Sequence, residues 1–232
     1  MGGMRVAALY DIHGNLPALE AVLAELGRVD LVLVGGDVVW GPWPQETMDV
    51  LRTLPSVEFI MGNADRDVFD RKEGDWKQTN DWCADRLSDD HVEFLRTRPA
   101  TLSLDGVLYC HGSPQSDTDH ITVGTPDERI LSWCSDVRDR TVVCGHTHGQ
   151  FERMVGDLRV VNAGSVGEPF GDRGAYWAIV DGADIELRFT PYDVDATADA
   201  IVATGYPYGP IMASNIRGSN TAEDAARWFE KS

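Results

Sequence analysis

Residues 5–23 read RVAALYDIHGNLPALEAVL, and this stretch decides the fold. Arg5–Tyr10 is an apolar run with the character of a buried strand. Asp11-Ile12-His13-Gly14-Asn15 interrupts it with polar residues around a glycine. Apolar side chains then fall at Leu16, Leu19, Val22, Leu23 and Leu26, a helical spacing with Pro17 in the first turn. Strand, polar turn and helix in this order open an alternating α/β chain.

The pattern repeats downstream. Leu31–Val34 reads as a second strand, Glu46–Thr53 as a short helix and Val57–Met61 as a third strand. Such alternation predicts a parallel or mostly parallel sheet. Residues 65–99 are polar and rich in Asp, and read as one long loop with two helices. Thr101–Leu104 and Val107–Cys110 flank Asp105-Gly106, a tight-turn pair that predicts a hairpin. Asp127–Trp133 is helical and Thr141–Cys144 is another strand. From Gln150 onward the style becomes antiparallel, with strands at Gln150–Val155, Leu158–Val161, Tyr176–Val180 and Ile185–Phe189. Val194–Thr204 is a helix and Pro207–Gly209 a break. Thr221–Glu230 is an amphipathic helix with Thr221 as its N-cap. Asp224 is a shorter acid than the Glu or Gln of a full capping box. The expectation is one domain over residues 1–232, with 207–232 as a helical C-terminal tail that docks elsewhere or carries an interface, such as that of a homo-oligomer.

Composition narrows the function classes. The chain has 232 residues, 43% of them hydrophobic, enough for a sizeable core. Its net charge of −18 disfavours bulk nucleic-acid or anionic-membrane binding, because like charges repel. A small phosphorylated substrate remains compatible, since bound metal inverts the local charge. Cys83, Cys110, Cys134 and Cys144 form no C-x-x-C pair, so neither a zinc knuckle nor a redox motif is indicated. No apolar run approaches the ~18 residues of a membrane span, and no basic-then-apolar leader opens the chain. A reducing, cytoplasmic location is expected.

Polar residues of metal-ligating type follow the strands. They are Asp11 and His13 after Arg5–Tyr10, Gly35-Gly36-Asp37 after Leu31–Val34, and Gly62-Asn63-Ala64-Asp65 after Val57–Met61. His111-Gly112 follows Val107–Cys110, and Gly145-His146-Thr147-His148 follows Thr141–Cys144. Open α/β sheets place their ligand crevice beyond the strand carboxyl ends, where all these residues sit. Asp11 and His13, two apart on an extended segment, would face one side and meet one metal. Glycine beside every block allows the close backbone approach that a crowded centre needs. Imidazole, carboxylate and amide oxygen donors suit divalent Mn, Fe, Ni, Co or Zn rather than a soft thiolate site. Each block alone is weak, since Gly-Asn and Gly-Asp are more often turns than ligands. Their joint occurrence in this order carries the reading.

The five blocks resemble the calcineurin-like metallophosphoesterase superfamily, whose pattern is D-x-H, G-D, G-N-H-[DE], H-G and G-H-x-H. Asn162-Ala163-Gly164-Ser165-Val166-Gly167 is similar to the N-x-G-S-x-G loop of its small bacterial and archaeal phosphodiesterase branch. The resemblance covers about Met4 to Thr190. It implies a four-layer αββα sandwich of two mixed sheets flanked by helices. It also implies that Asp11, His13 and His148 hold one metal, that Asn63, His111 and His146 hold the other, and that Asp37 bridges both. Attack by a hydroxide shared by the two metals on a phosphate ester would follow, with Asn63 also touching phosphate. A phosphodiester of small or nucleotide type is the favoured substrate. A phosphomonoester or a dinucleoside polyphosphate is the alternative within the class.

This chain departs from the family pattern at Ala64, where the family commonly has a His near the leaving-group oxygen. Asp65 is then left without that partner, and general acid help worth ~10²–10⁴-fold is in question. Hence a metal-binding sensor or scaffold with little turnover stands as the alternative of another class, although all seven ligand positions are intact. Asp65 and Arg66 are carried as catalytic candidates beside Asn63, and Arg66 suits a phosphate fork or a surface salt bridge. Asn15 is a further phosphate-contact candidate. His91 is expected at the surface and His120 in a solvated loop. Trp40 and Trp43 are read as packing their loop, with stacking on a flat group as the alternative. Ser165 is read as a loop hydrogen-bonder, since no G-x-S-x-G elbow is present.

Overall fold

The computed structural model describes residues 3–218 and 220–230, so the extreme ends of the expected domain and tail lie outside it. Arg5–Leu9 (β1), Leu31–Val34 (β2) and Val57–Phe59 (β3) form a parallel trio. Ala175–Asp181 (β9) runs antiparallel to β1, and Asp184–Thr190 (β10) antiparallel to β9, giving the sheet order β10-β9-β1-β2-β3. The second sheet is built the same way. Val107–Cys110 (β5), Thr141–Cys144 (β6) and Leu158–Asn162 (β8) are parallel. Thr101–Leu104 (β4) and Phe151–Val155 (β7) flank them antiparallel, in the order β4-β5-β6-β8-β7.

The period-2 geometry of strands produces the layers. Val6, Ala8 and Tyr10 turn toward the second sheet and pack with Tyr109, Val143 and Val161. Tyr10 spans the gap, its hydroxyl donating to the Val143 carbonyl at 3.0 Å. Ala7 and Leu9 turn the other way, against Leu16–Glu25 (α1), Pro44–Arg52 (α2), Val194–Ala203 (α7) and Gly209–Arg217 (α8). The outer face of the second sheet, with Cys110, Val142 and Cys144, packs on Ile130 and Cys134 of and after Asp127–Trp133 (α6). This is the expected four-layer αββα sandwich. Each fully buried Leu, Ile or Val contributes about 1.5–3 kcal/mol relative to exposure.

Three local readings are corrected. Residues 65–99 hold more than two helices, because Asn63–Phe69 (α3) precedes Lys77–Ala84 (α4) and Asp89–Arg96 (α5). The short α8 fills the stretch after the Pro207 break, where it contributes Met212, Ala213 and Ile216 to the core. In Ala222–Phe229 (α9), Asp224 does complete a capping box: Thr221 N–H donates to its Oδ2 at 2.9 Å, and Asp224 N–H to Thr221 Oγ1 at 3.2 Å. His91 is also buried rather than at the surface. It sits on the α5 side facing α2, with Nδ1 at 3.2 Å from Gln45 Oε1 and Nε2 at 3.4 Å from Asp49. No helix among the described residues is long and apolar enough to cross a membrane.

Candidate metal centre

All five ligand-bearing segments emerge at the carboxyl ends of parallel strands, on the same edge of the sandwich. Two groups of potential ligand atoms form there, Asp11–His13–His148 and Asp37–His111–His146, each within 4.8 Å. The groups adjoin, since His111 Nε2 lies 3.9 Å from Asp11 Oδ1. Asn63 opens α3 beside the second group, with its side-chain oxygen 3.1 Å from His111 Nε2 and 2.9 Å from His146 Nδ1. The ligands are largely buried.

The backbone departs from the extended geometry expected for Asp11 and His13. Their φ values are 51° and 48°, and Asp37, His146 and His148 follow at 54°, 64° and 56°. Alternate left-handed residues therefore converge the side chains, at a cost of about 1–3 kcal/mol each for non-glycine residues. Such conformations persist only where the surroundings hold them. The loop 162–167 supplies part of that hold. Ser165 Oγ donates to the Asp11 carbonyl at 2.7 Å, and Asn162 Nδ2 to the Gly145 carbonyl at 2.8 Å. Gly62 is required for a different reason: a Cβ there would stand 2.2 Å from Asp37 Oδ1.

Backbone carbonyls fix the imidazoles. His111 Nδ1 faces Gly35 O at 2.9 Å, His13 Nδ1 faces Trp40 O at 3.1 Å, and His148 Nδ1 faces Glu168 O at 2.7 Å. A carbonyl only accepts, so each Nδ1 carries the proton and each Nε2 points its lone pair inward. His13 Nε2 and His148 Nε2 then stand 3.0 Å apart. Two such lone pairs at that distance repel unless a proton or a cation lies between them. Asp11 Oδ1 and His146 Nε2 are buried with no hydrogen-bond partner among the described residues. Asn63 fits as well, because its amide oxygen faces ring nitrogens of His146 and His111, with the Asp117 carbonyl 3.3 Å away, and a cation could be shared with those rings. The donor set and the orphaned Asp11 Oδ1 therefore fit two divalent cations.

Charges reinforce the arrangement. Burial would raise the Asp37 carboxyl, but His111 and then His13 outweigh it and hold it well below the usual carboxylate range. Burial lowers His148 and His111, yet Asp11 beside the first and Asp37 beside the second bring them to about 9 and about 10. Burial, helped by charge on His111, drives His146 down to about 3.

The other candidates stand elsewhere. Asp65 is fully buried outside the cavity, and its Oδ1 accepts from Val38 and Val39 N–H at 2.8 and 2.9 Å. Burial, and then the charge of Asp37, raises its pKa. Its Oδ2 is buried with no hydrogen-bond partner among the described residues. The Arg66 guanidinium pairs with Asp117 and does not line the cavity. Asn15 caps α1, accepting from Ala18 N–H at 3.3 Å and donating to Gly167 O at 2.8 Å. His120, expected in a solvated loop, instead stacks on His146 with centroids 5.1 Å apart, and Phe229 of the tail packs on both rings. No local signal in the sequence joins residues 120, 146 and 229.

The metal-ligand groups open onto a cavity of about 650 Å³. Ala64 lines it, as do Trp40, Trp76, Glu168 and Tyr208, and α9 closes one side with Asp224 and Phe229. Among the described residues, no Lys or Arg lines it. Trp40 thus both packs its loop and presents a face to the cavity, whereas Trp43 precedes α2 and packs against the core.

Comparison with known proteins agrees with this geometry. The Calcineurin-like phosphoesterase superfamily domain matches residues 4–184. The chain is 26% identical over 234 residues to the uncharacterized protein MJ0912 of Methanocaldococcus jannaschii, spanning 87% of this chain and 93% of that one. The crystal structure of a metallophosphoesterase from Sphaerobacter thermophilus shares the fold with a TM-score of 0.78 and 24% identity, over 92% of this chain and 98% of that one. Hypothetical protein PH1004 from Pyrococcus horikoshii OT3 does so with a TM-score of 0.80 and 23% identity, over 93% and 99%. The matched stretch contains every ligand-bearing segment, and the chain belongs to the calcineurin-like phosphoesterase superfamily.

Proposed function

We propose that this protein hydrolyses phosphodiesters with the help of two divalent metal ions. The observation that carries the reading is the pair of adjoining ligand groups opening onto a cavity that no Lys or Arg lines among the described residues. Two such cations supply Lewis acidity and lower the pKa of bound water. Asp11, His13 and His148 would hold one, and Asn63, His111 and His146 the other, with Asp37 between them. Asn63 sits at the first turn of α3 and lines the cavity, so its amide is also in place to touch phosphate. Asp65 and Arg66 act in this reading as positioning residues: Asp65 holds the segment after Asp37, and Arg66 anchors the Asp117 loop.

The cavity wall favours a diester. A monoester carries a second negative charge and a polyphosphate several, and no Lys or Arg among the described lining residues offsets them. A diester brings one. Ala64 leaves the leaving-group side without an imidazole, which costs least for esters whose alcohol departs readily. The cation identity is left to Mn, Fe, Ni, Co or Zn by the donor set.

The test is reconstitution. The protein is stripped of metal, then given Mn²⁺, Ni²⁺, Fe²⁺, Zn²⁺ or Mg²⁺ separately, and assayed on bis-p-nitrophenyl phosphate beside p-nitrophenyl phosphate. Cleavage of the diester should return with metal, exceed that of the monoester, and fall by about 10²-fold or more in Asp37→Ala. Two ions bound per chain with no turnover under any metal would replace the reading by that of a metal-binding module.

A further inference from the structure

Glu168 follows the 162–167 loop and is 8% exposed, yet it lines the cavity. Its carbonyl orients His148, as described above. Its side chain turns to the other wall, where Oε1 accepts from Asn215 Nδ2 at 2.6 Å and from the Tyr208 hydroxyl at 3.3 Å. Among the described residues no Lys or Arg pairs with it. The other carboxylates on the wall outside the ligand groups are matched, Asp67 by Lys72 at 2.8 Å and Asp224 by Arg227 at 3.0 Å. A buried carboxylate without a cation is costly, and proteins retain such groups where a ligand compensates them.

The metals do not obviously require it. Two divalent cations are balanced by Asp11, Asp37, one hydroxide equivalent and a monoanionic diester, which leaves the charge of Glu168 over. Beside Glu168 stands an aromatic wall. The Tyr208 ring packs on Trp40 and Trp76 with centroids 5.0 and 5.4 Å apart, and the two tryptophans are 5.8 Å apart. These separations leave no room for a ligand between the rings, so the three present one continuous surface to the cavity. Trp76 is 52% exposed. Aromatic faces carry negative potential and attract ammonium groups, quaternary ones in particular.

We propose that Glu168, Tyr208, Trp40 and Trp76 form a subsite for a positively charged alkylammonium group on the substrate. The substrate class is then a phosphodiester of an amino alcohol of choline type, its phosphate on the metals and its ammonium against the aromatic wall. The word substrate rests on the phosphodiesterase reading, while the subsite itself rests on Glu168 and the rings.

The experiment separates the two. Tryptophan fluorescence and calorimetry measure binding of choline, and of its uncharged isostere 3,3-dimethylbutanol, to the metal-loaded protein. Choline should bind about tenfold more tightly or better, and the preference should shrink to under about threefold in Glu168→Gln and in Tyr208→Leu. The same preference should appear in kcat/KM for the p-nitrophenyl diester of choline phosphate over its 3,3-dimethylbutyl counterpart. Equal binding of choline and isostere to the unaltered protein overturns the proposal, as does a preference that survives intact in Glu168→Gln. Selective choline binding with neither diester cleaved under any metal would leave the subsite standing and remove the phosphodiesterase reading.

Discussion

The Asp65 carboxylate accepts the Val38 backbone N–H at 2.8 Å, so the acid of the third ligand block holds the chain immediately after the second. The same oxygen accepts from Val39 at 2.9 Å. In Asp65→Ala both buried N–H groups lose their acceptor, an expected cost of roughly 2–6 kcal/mol at about 1–3 kcal/mol each. Asp65→Asn keeps an acceptor oxygen and removes a buried charge, so its stability should stay within about 1 kcal/mol of the parent. Denaturant titration of the metal-free variants measures both. Equal destabilisation by the two would assign Asp65 a role other than accepting from these amides.

Gly62→Ala tests the contact between the second and third blocks. The added Cβ would meet Asp37 Oδ1 at 2.2 Å and Asp37 N at 2.3 Å, while the backbone φ of −102° is acceptable for alanine. The expected result is a loss of about 1–3 kcal/mol from overpacking, together with fewer than two metal ions per chain by plasma emission. A fully loaded, equally stable Gly62→Ala protein would mean that Asp37 can move without consequence.

The pH dependence follows from His111 and His148. Burial lowers both, but Asp37 and Asp11 bring them to about 10 and about 9, above the ordinary 6.5. A pKa raised by folding means that protonation favours the fold. Stability from these groups is complete below about pH 6.5 and is lost as pH rises through about 9 to 10. The metal-free protein should therefore weaken across that window. Cations compete with the same protons at Nε2, so metal binding should release protons near neutral pH and tighten as pH rises. Calorimetry in buffers of different ionisation heats counts the protons, and a count of zero would contradict this assignment.

Ala64→His places an imidazole on the cavity wall. Diesters with poor alkoxide leaving groups should gain about 10²-fold or more in kcat, because protonation of the leaving oxygen matters most for them. p-Nitrophenyl esters should change little. A uniform change for both leaving groups would show that position 64 alters binding rather than proton transfer.

The strands, most helices and the blocks of ligand-type residues were legible in the chain because they depend on local pattern, whereas the four layers and the division of the ligands into two groups were implied by the family resemblance. Strand and helix periodicities are written within a few residues, and each block of ligand-type residues lies just beyond a strand beside a glycine, so Asp11, His13, Asp37, Asn63, His111, His146 and His148 could be named in order once the blocks were seen to resemble the family pattern. Even so, their convergence does not come from extended backbone, as the left-handed φ at five of them shows. Short helices were less legible. α3 begins on the ligand Asn63 itself, and α8 lies just past a proline, where local propensity is ambiguous and tertiary packing decides. Orientation and environment belong to the tertiary structure alone. The carbonyls that aim the imidazoles come from Gly35, Trp40 and Glu168, the first of them 76 positions from its histidine, and His120, His146 and Phe229 meet from distant segments. Such contacts leave no periodic trace. Hydrophobic patterning determined which residues reach the carboxyl edge of the sheets, and the packing of the two sheets and the tail determined what those residues face: two adjoining groups of candidate metal ligands, an aromatic wall and the carboxylate of Glu168.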